Sequence, residues 1–283
     1  MVKMLRAHNK VTEVNLINYF KAGCLFIGAA ICLFAQPINA QGSYKVAIII
    51  DDLGNNLRQG QELINLPYQL TYSFLPMRPY SKRLANLAAT TGKEVMVHLP
   101  MQSATHANLG DGALTLELTQ NQFQQSVRTS LDSVPHAKGV NNHMGSLLTQ
   151  HPGHMSWLME VLSAHQETLY FVDSKTTAMT IAGQIADEHL VPHISRDVFI
   201  DDSKEEKDIR KQLAYLIEVA KRKGYAVAIG HPYPQTVKLL SEYLPTLANQ
   251  NIEVVSVTRL LKTRETSQQW TTLSSGDQSE NLN

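Results

Sequence analysis

Cysteine is nearly absent from this 283-residue chain, and both copies, Cys24 and Cys32, fall within the first forty residues. Everything downstream therefore has neither a disulfide framework nor a thiol nucleophile. A domain of about 225 residues can hold together without such staples because its core is large enough. Charge of one sign is also lacking. Basic and acidic residues number 25 each, so no basic excess points to nucleic acid. Residues 1–40 carry a net +3 and the remainder −3, an acidity too mild to select partners. No internal repeat, coiled-coil heptad or interior linker interrupts the chain, which excludes tandem and fibrous architectures. What remains is ordinary: 43% hydrophobic and 18% charged residues describe a globular protein with a real core.

The longest apolar run, Ala22 to Ala35, has fourteen residues. A bilayer span needs roughly 20, so the run suits the apolar part of an export signal better than a permanent helix. A basic start precedes it and Pro37-Ile-Asn-Ala40 follows it. Residues 1–40 therefore read as a signal peptide cleaved near Ala40. The alternative is an uncleaved anchor, since Ile38 stands where a small residue is usual. Both readings export residues 41–264, to the periplasm or beyond, with no membrane span left once the signal is removed. Residues 265–283, rich in Ser, Thr, Gln, Asn, Asp and Glu, read as a solvated, disordered tail.

Between these ends, short β-branched runs alternate with amphipathic stretches. The runs are Val46–Ile50, Leu70–Leu75, Glu94–Val97, Leu169–Val172, Tyr225–Ile229 and Ile252–Ser256. Several are apolar throughout, as expected of parallel strands covered on both faces. Helical spacing is clearest from Lys204 to Lys223, with Ile209, Leu213, Leu216, Ile217 and Ala220 on one face. Ser203 and Glu206 form a candidate capping box before it, and Gly224 closes it. Further helices are predicted from Gln120 to Leu131 and from Met155 to His165. The pattern predicts one α/β domain, a distorted (β/α) barrel of about seven parallel strands, with a doubly wound open sheet as the alternative.

In both architectures chemistry gathers at the C-terminal ends of the strands. Asp51 and Asp52 follow the first run, His98 the run at Glu94, and Asn141-Asn-His-Met-Gly-Ser146 the Gly139-Val140 stretch. Asp173 ends the run at Leu169, Arg196-Asp-Val-Phe-Ile-Asp201 follows a strand near Leu190–Ile194, and Gly230-His231-Pro232 follows the run at Tyr225. Asp51 and Asp52 could merely cap a helix, yet one carboxylate would suffice, and two side by side repel unless a cation or proton intervenes. His98 alone reads equally well as a structural histidine. His106, His136, His151, His154, His165, His189 and His193 read as surface or helix residues. His151 and His154 have a spacing that can serve metals, but Pro152-Gly153 is expected to break the helix they would need.

An aspartate with two imidazoles suits zinc or another borderline divalent ion. The residues alone thus indicate a metal-assisted hydrolase: Asp52, His98 and His143 as ligands, Asp51 as base, His231 as acid.

The ordered motifs from Lys45 to Leu261 resemble the divergent polysaccharide deacetylase family. The resemblance implies a barrel related to enzymes that remove N- or O-acetyl groups from sugars with a divalent metal. Asp51 matches the catalytic base and Asp52 the metal ligand of the family's Asp-Asp pair. His98 matches the first histidine of the ordinary His-x-x-x-His motif, but Gln102 stands where the second belongs, so His143 is assigned in its place. The ordinary Arg-x-Pro-Tyr motif has no clear counterpart, and Arg196 is the nearest substitute cation. His231 matches the late histidine that protonates the leaving group. Asn142, Asp173, Arg196 and Asp201 are assigned supporting or substrate-binding roles. The implied cofactor is a divalent metal, zinc by ligand type, and the implied partner an envelope glycan such as peptidoglycan. Two other readings stand beside it. One is a non-catalytic descendant that binds a glycan or an envelope protein. The other is a metal hydrolase of a different ester or amide.

Overall fold

The computed structural model describes residues 43–264 apart from residue 106. The expected signal, the polar tail and His106 lie outside the described residues. The strands are β1 (Tyr44–Leu53), β2 (Thr71–Phe74), β3 (Glu94–Met101), β4 (Ala137–Met144), β5 (Tyr170–Asp173), β6 (His193–Ser195), β7 (Val198–Phe199), β8 (Tyr225–Gly230) and β9 (Ile252–Val254). Between them run α1 (Leu57–Ile64), α2 (Ser81–Thr90), α3 (Gln120–Ser133), α4 (Pro152–Ser163), α5 (Ala182–Glu188), α6 (Glu206–Lys223) and α7 (Pro234–Leu247). No helix of the described residues is long and apolar enough to cross a membrane.

All strands belong to one parallel sheet, in the order β6-β5-β4-β3-β2-β1-β8-β7, with β9 beside the start of β1. The two edge strands are consecutive in the chain, separated by Arg196 and Asp197 alone. Arg196 N–H still donates to Asp173 on β5, whereas Asp197 N–H and Ile200 N–H donate to Val227 and Ile229 on β8. One stretch of chain therefore touches both edges, and the sheet must curl. Counting β6 and β7 as one split stave, with β9 as a short addition, gives the expected distorted barrel of seven.

Alternation along the strands sorts the side chains into two cores. Val46, Ile48 and Ile50 of β1 face outward and join helical residues such as Leu63, Leu84, Phe123, Leu158, Leu213 and Leu239. Ala47 and Ile49 face inward with Met96, Tyr170, Val172, Ile194, Val227 and Ile229. Residues 255–261 plug the N-terminal end of this interior: Val255 N–H donates to Val46, and Thr258 N–H to the Glu94 carboxylate. Continuing each inward row upward, Ile49 leads to Asp51, Met96 to His98 and Ile229 to His231. The barrel interior is apolar below and polar at its C-terminal mouth.

Two local expectations are corrected. The capping box before α6 does not form: the N-cap is Glu205, and the Ser203 hydroxyl donates to Asp208 while accepting from Glu205 N–H, ahead of the helix. Gly224 does close that helix, in the left-handed conformation that glycine tolerates (φ 86°). Pro152 and Gly153 do not break a helix but begin α4, since a proline in the first turn gives up an N–H that has no partner there anyway. His151 is its N-cap, with Nδ1 2.9 Å from that of His154; His154, read as a surface or helix residue, lies in α4, buried against Phe123 and Trp157.

Candidate metal site

Consecutive residues on a strand face opposite ways, so Asp51 and Asp52 should not share a site. The backbone resolves this. Asp52 adopts φ 57°, and the β1–β2 register slips between Ile50 and Leu53. This bulge turns the second carboxylate back over the barrel mouth beside the first. Aspartate is among the few side chains that enter the left-handed region readily.

Three ligand atoms converge there. Asp52 Oδ1 lies 3.2 Å from His98 Nε2 and 3.0 Å from His143 Nδ1, and the two ring nitrogens are 3.1 Å apart. Among the described residues this is the one cluster able to hold a metal ion. Tetrahedral coordination at about 2.0–2.1 Å spaces ligand atoms about 3.3 Å apart, so the observed spacing fits. Asp52 Oδ1 is itself buried, and neither ring nitrogen beside it is aligned as a hydrogen-bond partner. A buried carboxylate oxygen left without a donor is costly, and a cation would satisfy it.

Asp51 lies fully inside, with Oδ2 3.6 Å from His98 Nε2. Burial lifts its carboxyl above the usual range, against the opposing pull of His98, His231 and Asn141. For Asp52 burial acts the same way, but His143 and His98 outweigh it and hold that carboxyl far below the usual range. Burial would lower His98, yet the Asp51 and Asp52 carboxylates raise it to about 9.

His231 faces the cluster from the end of β8, with Nε2 3.8 Å from Asp52 Oδ2. Its Nδ1 lies 2.9 Å from Asp201 Oδ1, and its backbone N–H donates to Asp201 Oδ2 at 2.7 Å. Thr236 Oγ donates to the same carboxylate. Burial works against the charged ring, but buried Asp201 prevails and raises it above the ordinary histidine value. Phe199 and Tyr233 flank the ring, with centroids 5.3 and 5.4 Å away.

The structure thus brings together Asp51, Asp52, His98, His143, His231 and Asp201. The remaining assigned residues have hydrogen-bond partners outside this cluster, although the Arg196 charge also feels Asp51. Asn142 points outward, donating to Met144 C=O and accepting from Ser174 N–H, and so shapes the turn after β4. Asp173 accepts from Lys175 N–H and Thr180 Oγ. Arg196 donates to Ser174 and Lys175 carbonyls and lies over Phe199. Gln102 is turned away as well, its Oε1 accepting from Leu116 N–H. Asn141, which the sequence reading placed in the strand-end motif without a role, sits at the centre: fully buried, it donates to Asp51 and contacts His98 Nδ1 at 2.8 Å. Strand parity could have found it, because Asn141 shares the inward row with His143 and Asn142 does not.

A curled parallel sheet with an Asp-His-His cluster, a buried aspartate and an Asp-paired histidine at its C-terminal mouth defines a deacetylase-like barrel. The model of the divergent polysaccharide deacetylase family matches residues 48–261, and the chain belongs to that family. An uncharacterized protein of Haemophilus influenzae is 35% identical over 216 residues, covering 76% of each chain. Uncharacterized protein YibQ of Escherichia coli K12 is 35% identical over 233 residues, 82% of this chain and 71% of its own. Among solved structures, an uncharacterized protein of Agrobacterium tumefaciens C58 shares the fold with a TM-score of 0.74 at 22% identity, covering 81% of this chain and 94% of its own.

Proposed function

We propose that this protein is a metal-dependent hydrolase of the cell envelope that removes acetyl groups from a glycan such as peptidoglycan. The observation that carries the reading is the convergence of Asp52 Oδ1, His98 Nε2 and His143 Nδ1, the buried oxygen having no aligned hydrogen bond. One carboxylate and two imidazoles favour zinc among divalent ions. When bound, such an ion supplies Lewis acidity that polarises an acyl oxygen and makes a water molecule acidic.

The chain's own groups provide the proton chemistry. Asp51, inside the barrel and lifted by burial, takes a proton from the attacking water. His231, kept charged by Asp201, gives one from Nε2 to the departing amine or alcohol. Each of the two is biased by its surroundings toward that role. Export follows from the signal-like residues 1–40, and an envelope glycan is the substrate class that family and compartment share.

The replacement of the second motif histidine by Gln102 supports the alternative, a non-catalytic descendant that binds a glycan or an envelope protein. One experiment separates them: elemental analysis of the purified protein beside Asp52→Ala and His98→Ala, followed by assay on acetylated glycans. Stoichiometric zinc lost in both variants, with acetate released by the wild type, is the expected result. No metal in the wild type after zinc is added back overturns the hydrolase. Metal without acetate release on any glycan overturns the deacetylase assignment.

A further inference from the structure

We propose that Asn141 is the positioning residue of this site: its side-chain amide dictates which nitrogen of His98 faces the cluster and holds the Asp51 carboxylate beside it. The consequence for metal binding rests on the hydrolase reading, while the hydrogen-bond assignment holds in the metal-free chain.

The assignment follows from counting donors and acceptors. Asn141 pairs with His98 in the β3–β4 register and is wholly buried, so each of its polar atoms must find a partner inside the barrel. Its Nδ2 lies 2.9 and 3.0 Å from the two oxygens of Asp51 and 3.4 Å from Ser174 Oγ. Its Oδ1 accepts from Ser73 Oγ at 2.7 Å and lies 2.8 Å from His98 Nδ1. An ionised carboxylate offers acceptors only, so the amide NH2 must face Asp51 and the carbonyl must face His98. The carbonyl in turn demands a proton on His98 Nδ1. The neutral ring then presents the lone pair of Nε2 to Asp52 and His143. A flipped amide would set its carbonyl against a buried carboxylate and leave Nε2 protonated, unable to ligate. One neutral side chain thereby ties the geometry of the proton acceptor to the tautomer of a ligand.

The test uses the full chain, with Asn141→Leu and Asn141→Asp. Nitrogen-15 NMR of His98 is recorded in the metal-free protein at alkaline pH, where the ring is neutral, and zinc affinity is measured by competition with a chelating dye. The wild type is expected to carry its proton on Nδ1. Asn141→Asp keeps an acceptor for that proton and preserves the tautomer while losing the contact to Asp51, so acetate release falls although zinc still binds. Asn141→Leu loses the acceptor, the proton shifts toward Nε2, and zinc affinity drops by about 10- to 100-fold. A wild-type ring protonated on Nε2 overturns the proposal, as does an Asn141→Asp ring that loses its Nδ1 proton. Should Asn141→Leu fail to fold, the Asn141→Asp spectrum decides alone. A wild type with the Nδ1 tautomer that binds no zinc defeats the hydrolase reading and upholds the role of Asn141.

Discussion

Removing metal should reverse the pH dependence of this protein, and His98 is the reason. In the metal-free chain Asp51 and Asp52 hold the His98 imidazolium to about 9, against 6.5 for an ordinary histidine. The raised group stabilises the folded state fully below pH 6.5, and that contribution disappears as pH rises through 9. At full burial the difference corresponds to about 3 kcal/mol. A metal ion can use Nε2 only after its proton leaves, so the proton and the metal compete for one lone pair. Below pH 9 apparent zinc affinity should fall about tenfold per pH unit for this proton, or about 100-fold between pH 8 and pH 6. Two measurements check the argument. Urea unfolding of chelator-treated protein at pH 6 and pH 9.5 should show the wild type losing more stability than His98→Gln. Zinc titration across pH 6–8 should show the opposite trend, tighter as pH rises. Zinc affinity that stays flat over that range, or identical pH slopes for wild type and His98→Gln, would refute the reasoning.

Other perturbations separate the roles around the site. Asp51→Asn should retain zinc and abolish acetate release, read by elemental analysis beside a coupled acetate assay. Gln102→His recreates the His-x-x-x-His motif, but residue 102 faces Leu116, so zinc affinity should not rise, and loss of the Leu116 contact should lower thermal stability. Asp201→Ala strips the partner from His231 N–H, His231 Nδ1 and Thr236 Oγ together. It should cost about 1–3 kcal/mol for each buried group left unpaired, and slow poor leaving groups most, as seen in a substrate series. Gly139→Ala places a methyl 2.4 Å from the Tyr170 ring and 2.6 Å from its carbonyl oxygen. It should destabilise by about 1–3 kcal/mol in calorimetry without touching the metal.

Much of the site was legible because strand ends are marked in the chain itself. Apolar β-branched runs such as Val46–Ile50 break abruptly at Asp51, and Glu94–Val97 breaks at His98. Other parts were not legible, because there a residue's meaning depends on its neighbours in space. Asn142 was given a role and Asn141 none, since the two are chemically identical and only the inward row of β4 distinguishes them. For Arg196, assigned as the nearest substitute cation, the sequence could not show its acceptors, the Ser174 and Lys175 carbonyls, because they belong to a different strand end. Ser203 looked like a cap because Asp208 offers its hydroxyl a competing partner that spacing rules overlook.

By itself the sequence determined the parallel α/β architecture, the family, and the identity of Asp52, His98 and His143 as a set. Periodicity and residue type are local properties, and hydrophobic burial converts them into strands with one inner and one outer face. Tertiary structure alone decided three things: that the sheet curls through the split stave of β6 and β7, that the bulge at Asp52 swings both carboxylates to one side, and that Asn141 binds Asp51 to His98. Each depends on groups tens of residues apart reaching hydrogen-bond distance. The sequence separation of 90 between Asp51 and Asn141 leaves no local trace of that meeting.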